Sequence, residues 1–175
     1  MSLEFLNIQP LLKHFHIQPR KSLGQNFLVE PAGLLKVIDA AELSGSEEVL
    51  EIGAGLGSLT YLLAQTCARV TAVEIDRHLL EPLAEALKPF TNVQIVHGDI
   101  LELDPANLVS RENYVVVANI PYYITSAIIR HLLEASPKPS RVILTIQKEV
   151  AQRILARDGK TLFFSTHVLA DLREI

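Results

Sequence analysis

Residues 49–57 read Val49-Leu50-Glu51-Ile52-Gly53-Ala54-Gly55-Leu56-Gly57. The first four are apolar apart from Glu51, and the run is short enough to be a buried strand. The next five place a glycine at every second position, and Leu59 to Ala68 follow with helical spacing. Glycines in such a turn let backbone approach a ligand where a Cβ would clash. The start of the helix behind them favours an anionic group nearby.

The same switching of period continues outward from this stretch. Strands are expected at 69–74, 93–96, 114–118 and 142–146. Helices are expected at 77–88, with Pro82 as a kink, at 125–135, capped by Thr125, and at 148–157. Upstream, residues 17–27 form a polar, glycine-containing loop, and Pro31 suits the first turn of a further helix. Residues 1–45 thus read as a helical and loop segment and 46–175 as an α/β core, within one domain. Strand–helix alternation with β-branched runs implies a mainly parallel sheet covered on both faces, a three-layer α/β/α arrangement. Ligands of such sheets sit beyond the carboxyl ends of the strands.

Composition bounds the function. The chain has 175 residues, 49% of them hydrophobic, which suits one packed core. No apolar run reaches the ~18 residues of a membrane span, and the first residues carry no basic, apolar leader pattern. Cys67 is the single cysteine, which excludes an internal disulfide and a multi-cysteine metal site. A cytoplasmic protein without membrane or metal is expected. The net charge is -4, unevenly spread: residues 1–36 carry +2, residues 130–160 carry +4, and the rest carries -10. The basic ends are either solvated faces or nucleic-acid contacts. His14 and His16 are two apart on an expected helix and point different ways, so they do not pair on a metal.

Four motifs carry chemistry. The glycine turn has the spacing G-x-G-x-G, with Ser58 where a dinucleotide fingerprint would place its third glycine. This spacing is common among methyltransferases that use S-adenosylmethionine. Val73-Glu74-Ile75-Asp76 puts Glu74 at the end of the second strand, where a carboxylate can accept from both hydroxyls of a ribose. These two features alone do not separate a nicotinamide cofactor from S-adenosylmethionine. Gly98-Asp99-Ile100 follows the third strand. Asp99 either accepts from a cofactor adenine, with Ile100 against the ring, or closes a turn onto its own backbone. The fourth motif, Asn119-Ile120-Pro121-Tyr122, ends the fourth strand. An exocyclic adenine amine is a poor nucleophile because its lone pair is delocalised. A carboxamide oxygen and a backbone carbonyl accepting its N–H bonds favour pyramidal nitrogen and free that pair for in-line attack. Tyr122 offers a stacking face for an extruded base, and Pro121 stiffens the turn.

The run Lys21-Ser22-Leu23-Gly24-Gln25-Asn26-Phe27-Leu28, together with EIGAGLGSLT, VEID, GDIL, NIPYYIT and QKEVAQRI, resembles the ribosomal RNA adenine dimethylases in register over residues 10–157. The resemblance implies a Rossmann-like S-adenosylmethionine-dependent methyltransferase with strand order 3-2-1-4-5. It also implies two methylations on N6 of each of two adjacent adenosines near the 3′ end of small-subunit rRNA, acting on rRNA or a pre-ribosomal small subunit. Gln25, Asn26 and Leu28 would close over the cofactor. Gly53, Gly55, Glu74, Ile75, Asp99, Ile100 and Asn119 would line its site. Asn119, Pro121 and Tyr122 would be catalytic, with Phe27 a second aromatic wall beside Tyr122. Arg20, Lys21, Lys148, Arg153 and Arg157 would meet RNA, although Glu149 and Arg153 also form a plain i,i+4 pair.

The chain departs from the family pattern after Arg157 and ends at Ile175. The resemblance then implies a sheet truncated before its last strands and no C-terminal helical domain. Strand five is expected to show an unpaired edge, partly shielded by Phe163 and Phe164. A large-subunit rRNA adenine methylase of the macrolide-resistance type shares these motifs. A non-catalytic RNA- or DNA-binding relative is the alternative from another class; intact N-I-P-Y and Glu74 argue for catalysis.

Overall fold

The structure, a computed structural model, describes residues 3–17, 30–120, 122–145 and 168–170. Within them α1 is Gln9–His14, α2 Pro31–Ala41, β1 Glu48–Ile52, α3 Ser58–Thr66 and β2 Arg69–Glu74. Then come α4 Leu80–Leu87, β3 Val93–His97, β4 Val115–Asn119, α5 Thr125–Glu134, β5 Arg141–Thr145 and β6 Val168–Ala170. The strands form one sheet in the order β3-β2-β1-β4-β5-β6, with every neighbouring pair parallel. Chain order reverses between β1 and β4, so their carboxyl ends flank the crevice where open α/β sheets bind ligands.

Because side chains alternate along a strand, the register sorts the core into two faces. Val49, Val70, Ala72, Val115, Val117 and Ile143 point to the face covered by α2, α3 and α4. Leu50, Ile52, Val73, Val116, Ala118, Val142 and Leu144 point to the opposite face, under Ile128, Ile129 and Leu132 of α5. These two clusters make the three layers expected from the sequence. β1, β4 and most of β2 are buried on both sides, whereas β3 at the sheet edge is half exposed.

The N-terminal segment is tied on by a reciprocal pair. Glu4 N–H donates to Gln65 Oε1, and Gln65 Nε2 donates to the Glu4 carbonyl, both at 2.9 Å. That seats Ile8 against Leu56 and Leu79, so α1 supports the glycine turn from behind.

Three sequence expectations need correction. Pro82 does not kink a helix; a 3-10 turn at Arg77–Leu79 precedes α4, and Pro82 lies in the first turn of α4, where its missing N–H costs nothing. Thr125 is not a cap but the first helical residue of α5, fully buried, with Ile124 at the N-cap position. The edge of β5 is not left open over Val142–Leu144, because Val168–Ala170 pair with it in parallel. The expected helix at 148–157, the end of strand five at Ile146, and Phe163 and Phe164 lie outside the described residues. Among the described residues no helix is long and apolar enough to cross a membrane, and no group of His, Cys, Asp and Glu could hold a metal ion.

Gly57 ends the glycine turn in the left-handed region, at φ +86, as the N-cap of α3. A Cβ there would stand 2.9 Å from Leu83 Cδ1 of α4. We expect Gly57→Ala to cost about 1–2 kcal/mol from the backbone alone, with the Leu83 contact adding to it; urea unfolding monitored by circular dichroism measures the loss.

Candidate functional site

The carboxyl edge of the sheet gathers the sequence motifs. Gly53 N–H donates to the Val73 carbonyl at 2.9 Å, so the turn after β1 is held against the end of β2. Glu74, the last residue of β2, is only 5% exposed. Its Oε2 accepts from Gly55 N–H at 2.7 Å and its Oε1 from Asp76 N–H at 2.8 Å. A carboxylate oxygen has two lone pairs, so each oxygen keeps capacity for one more donor. Burial pushes the Glu74 pKa up; the Asp76 and Gly55 amides oppose that rise, and the Asp76 charge adds to it. Ile75 beside it is 52% exposed, an apolar surface at the mouth of the site.

Asn119 ends β4 opposite this turn. The register pairs Ile52 with Ala118, which sets Gly53 next to Asn119. Gly53 has φ +81, and a Cβ on it would stand 3.1 Å from the Asn119 carbonyl oxygen. Only glycine permits both the backbone conformation and the close approach. Strand parity also puts Glu74 and Asn119 on the face of Val70, Ala72, Val115 and Val117. The ribose-type acceptor and the carboxamide therefore flank the glycine turn from its two sides.

Asp99 does close a turn: its Oδ1 accepts from Leu101 N–H at 2.9 Å. The second carboxylate oxygen still has acceptor capacity at this edge. The Ile100 side chain is 4% exposed and packs in the cluster with Leu50, Ile52 and Val73. The backbone of Tyr122 begins a 3-10 turn, Tyr122–Ile124, directly at the edge. Gln25, Asn26, Phe27, Leu28 and Pro121 lie outside the described residues, as do Arg20, Lys21, Lys148, Arg153 and Arg157.

Two residues had no role assigned from sequence. Tyr123 is 60% exposed on the 3-10 turn after Asn119. The doubled tyrosine in NIPYYIT was the available signal. Glu51 is the other. It lies mid-strand in β1 and is 1% exposed, with Oε2 buried and without a hydrogen-bond partner. Thr60 Oγ1 of α3 is likewise buried and unpartnered. Burial raises the Glu51 pKa to about 8; the nearby Thr60 hydroxyl opposes that rise, and the Glu74 charge adds to it.

The edge can therefore hold a nucleoside. A ribose would donate to Glu74, the glycine turn would admit a close-packed chain, and an amine brought to Asn119 would meet an acceptor. The donors and acceptors present fit an adenosyl ligand.

A family model described as ribosomal RNA adenine dimethylase matches residues 16–172. The chain is 41% identical over 150 residues to ribosomal RNA small subunit methyltransferase A of Dehalococcoides mccartyi (strain CBDB1), covering 85% of this chain and 52% of that relative. It is 42% identical over 163 residues to the protein of the same name from Enterococcus faecalis, covering 90% and 55%. The chain thus spans about half the length of the curated relatives it matches. Among solved structures, the 23S rRNA methyltransferase ErmE superposes with TM-score 0.67 at 36% identity, over 77% of this chain and 52% of that one. A dimethyladenosine transferase from Plasmodium falciparum superposes with TM-score 0.66 at 33% identity, over 75% and 46%.

Glu51 makes stability pH-dependent with a definite sign. Its pKa moves from the ordinary carboxyl value of 4.5 to about 8 on folding. Below the lower value both states hold the proton. Between the two values the folded state keeps a proton that the unfolded state has released, so stability falls as pH rises, and above the upper value the loss is complete. At about 1.4 kcal/mol per pKa unit, the term is on the order of a few kcal/mol. We expect Glu51→Gln to remove this slope and to stabilise the chain most at alkaline pH, as read by thermal unfolding across a pH series.

Proposed function

The chain belongs to the ribosomal RNA adenine dimethylase family, and from that premise we propose that it methylates N6 of adenine in small-subunit ribosomal RNA, with S-adenosylmethionine as methyl donor. The observation that carries the reading is the register that sets Gly53 of the glycine turn beside Asn119 at the end of β4, so close that a Cβ on Gly53 would stand 3.1 Å from the Asn119 backbone carbonyl. The target is two adjacent adenosines near the 3′ end of the small-subunit RNA, each methylated twice, in rRNA or a pre-ribosomal small subunit. The names of the curated relatives support the small-subunit assignment over a large-subunit one.

The residues divide the work. Glu74 accepts the ribose hydroxyls with the lone pairs that Gly55 and Asp76 leave available. Gly53 and Gly55 admit the amino-acid end of the cofactor against backbone. Asp99 takes the adenine amine of the cofactor with its second oxygen, and Ile75 gives the exposed apolar face beside it. Ile100 lies against the adenine ring of the cofactor. The bound cofactor supplies a methyl group made electrophilic by its sulfonium. Asn119 accepts an N–H of the target adenine, which holds the nitrogen pyramidal and turns its lone pair toward the cofactor side. Tyr122 stacks on the extruded base, with Phe27 as its opposite wall, and Pro121 stiffens the turn. Gln25, Asn26 and Leu28 close over the cofactor. Arg20, Lys21, Lys148, Arg153 and Arg157 meet RNA phosphates. The electron pair of the breaking C–S bond stays on sulfur, and the amine proton passes to water; no metal and no strong general base is required.

Mass spectrometry of rRNA digests, after incubation of under-methylated small subunits with labelled cofactor, tests the reaction. Label as N6,N6-dimethyladenosine in small-subunit RNA supports it. Label confined to large-subunit RNA favours the macrolide-resistance type of methylase, and calorimetric binding of a nicotinamide dinucleotide in place of S-adenosylmethionine ends the reading.

Two substitutions separate the roles. We expect Glu74→Ala to weaken cofactor binding by about 1.5–3 kcal/mol for each charge-assisted hydrogen bond lost, measured by calorimetry. Asn119→Ala should keep cofactor affinity within a few fold and abolish methyl transfer; near-normal turnover would remove the amine-binding role.

A further inference from the structure

β1 carries two buried carboxylates with opposite circumstances. Glu48, at its start, is satisfied: Ser110 N–H and Ser110 Oγ both donate to it at 2.9 Å, and Arg69 Nε stands 3.6 Å away. Glu51, three residues on and as deeply buried, keeps an oxygen without a partner and faces an equally unpartnered Thr60 hydroxyl. A buried polar group left unpaired is costly, and an apolar residue at that position would fold better. The carboxylate is therefore a feature that the fold does not explain.

Its location gives the explanation. Glu51 pairs with Ala72 on one side and Val117 on the other. Glu74 and Asn119 lie two residues further along those neighbouring strands, on the same face. By strand spacing each Cα is about 8 Å from that of Glu51. The next residue after Glu51 in this alternation is Gly53, which has no side chain. On the reading given above, Glu74 holds the ribose and Asn119 the methyl acceptor. The sulfur joins the ribose to the transferred methyl, so it falls between those two residues, over Glu51.

We propose that Glu51 is the charge-sensing residue of the cofactor site: it ionises beneath the cationic sulfonium and is reprotonated beneath the neutral thioether product, so that it favours the methyl donor over the spent cofactor. This rests on S-adenosylmethionine being the cofactor. The groups facing Glu51 agree with the assignment. From β2 the charge acting on it is Glu74, from α3 it is the neutral Thr60, and the Cys67 thiol after α3 is itself raised partly by the Glu51 charge. Lys36 and Asp39 of α2 point to solvent. Among the described residues none of the groups acting on it is a cation, and the sulfonium of the bound ligand would supply one. Without ligand the carboxyl is largely protonated at neutral pH, since its pKa is about 8. A unit positive charge about 6–8 Å away, at an effective dielectric of about 20, favours the ionised form by about 30- to 100-fold.

Calorimetry in two buffers of different ionisation enthalpy, phosphate and Tris, counts the protons exchanged on binding. At about pH 7 the chain should release most of one proton on binding S-adenosylmethionine and far less on binding S-adenosylhomocysteine. Affinity for the first should rise roughly tenfold between about pH 6 and pH 8 while affinity for the second stays nearly flat. Glu51→Gln should bind the first ligand without proton release and with no such pH dependence. Equal proton release with the two ligands, none with either, or unchanged release in Glu51→Gln would each overturn the inference while leaving the cofactor assignment intact. No binding of either ligand removes the assignment and the inference together. The comparison of the two ligands needs only the unaltered chain, so the test stands if Glu51→Gln does not fold.

Discussion

Glu74 accepts the amide hydrogens of Gly55 and Asp76, and these two bonds govern the upper edge of the sheet. They bind the glycine turn after β1 to the strand beside it and bury a carboxylate that would otherwise reach into solvent. On its other side the turn runs beside β4, where a Cβ on Gly53 would stand 3.1 Å from the Asn119 backbone carbonyl. Behind it, Leu56 is packed on Ile8 and Leu79, which makes the clasp between Glu4 and Gln65 part of the same support. A ligand entering the crevice meets backbone whose conformation is already fixed, and that lowers the ordering cost of binding.

The site is built at some expense to the fold. Glu74 and Asp76 are buried acids at the edge and Glu51 is a third inside β1, and Glu51 and Glu74 are each raised by burial and by a neighbouring negative charge. A sheet made only to be stable would place valine or isoleucine there, as it does at Val49, Val115 and Val117. Stability withheld at functional positions and recovered elsewhere is common in enzymes. Here the recovery comes from the strands themselves: Leu50 and Val116 are completely buried on one face and Val49, Val115 and Val117 on the other.

Much of this was legible along the chain. The period switches gave β1 to β5 to within a residue or two at their ends, though not β6, and the glycine spacing with an acid at the end of the second strand pointed to the carboxyl edge of the sheet. Where local reading failed, a non-local contact had overridden it. Thr125 is a favourable cap by type, yet burial makes it part of the helix. Asp99 fits both a ligand role and a turn, and the turn is formed with one oxygen only.

Local order was thus set by the sequence alone: hydrophobic period decides strand or helix from a few neighbouring residues, and a glycine at every second position allows a tight turn at one place. Which side chains meet was decided only by the tertiary structure. Glu51, Glu74 and Asn119 are far apart in the chain, and their convergence depends on β1 being placed between β2 and β4 in one particular register. A slip of one residue in either pairing would send Glu74 or Asn119 to the opposite face. That register is fixed by how the apolar residues of all the strands fill two facing layers at once, a condition no single stretch of sequence contains.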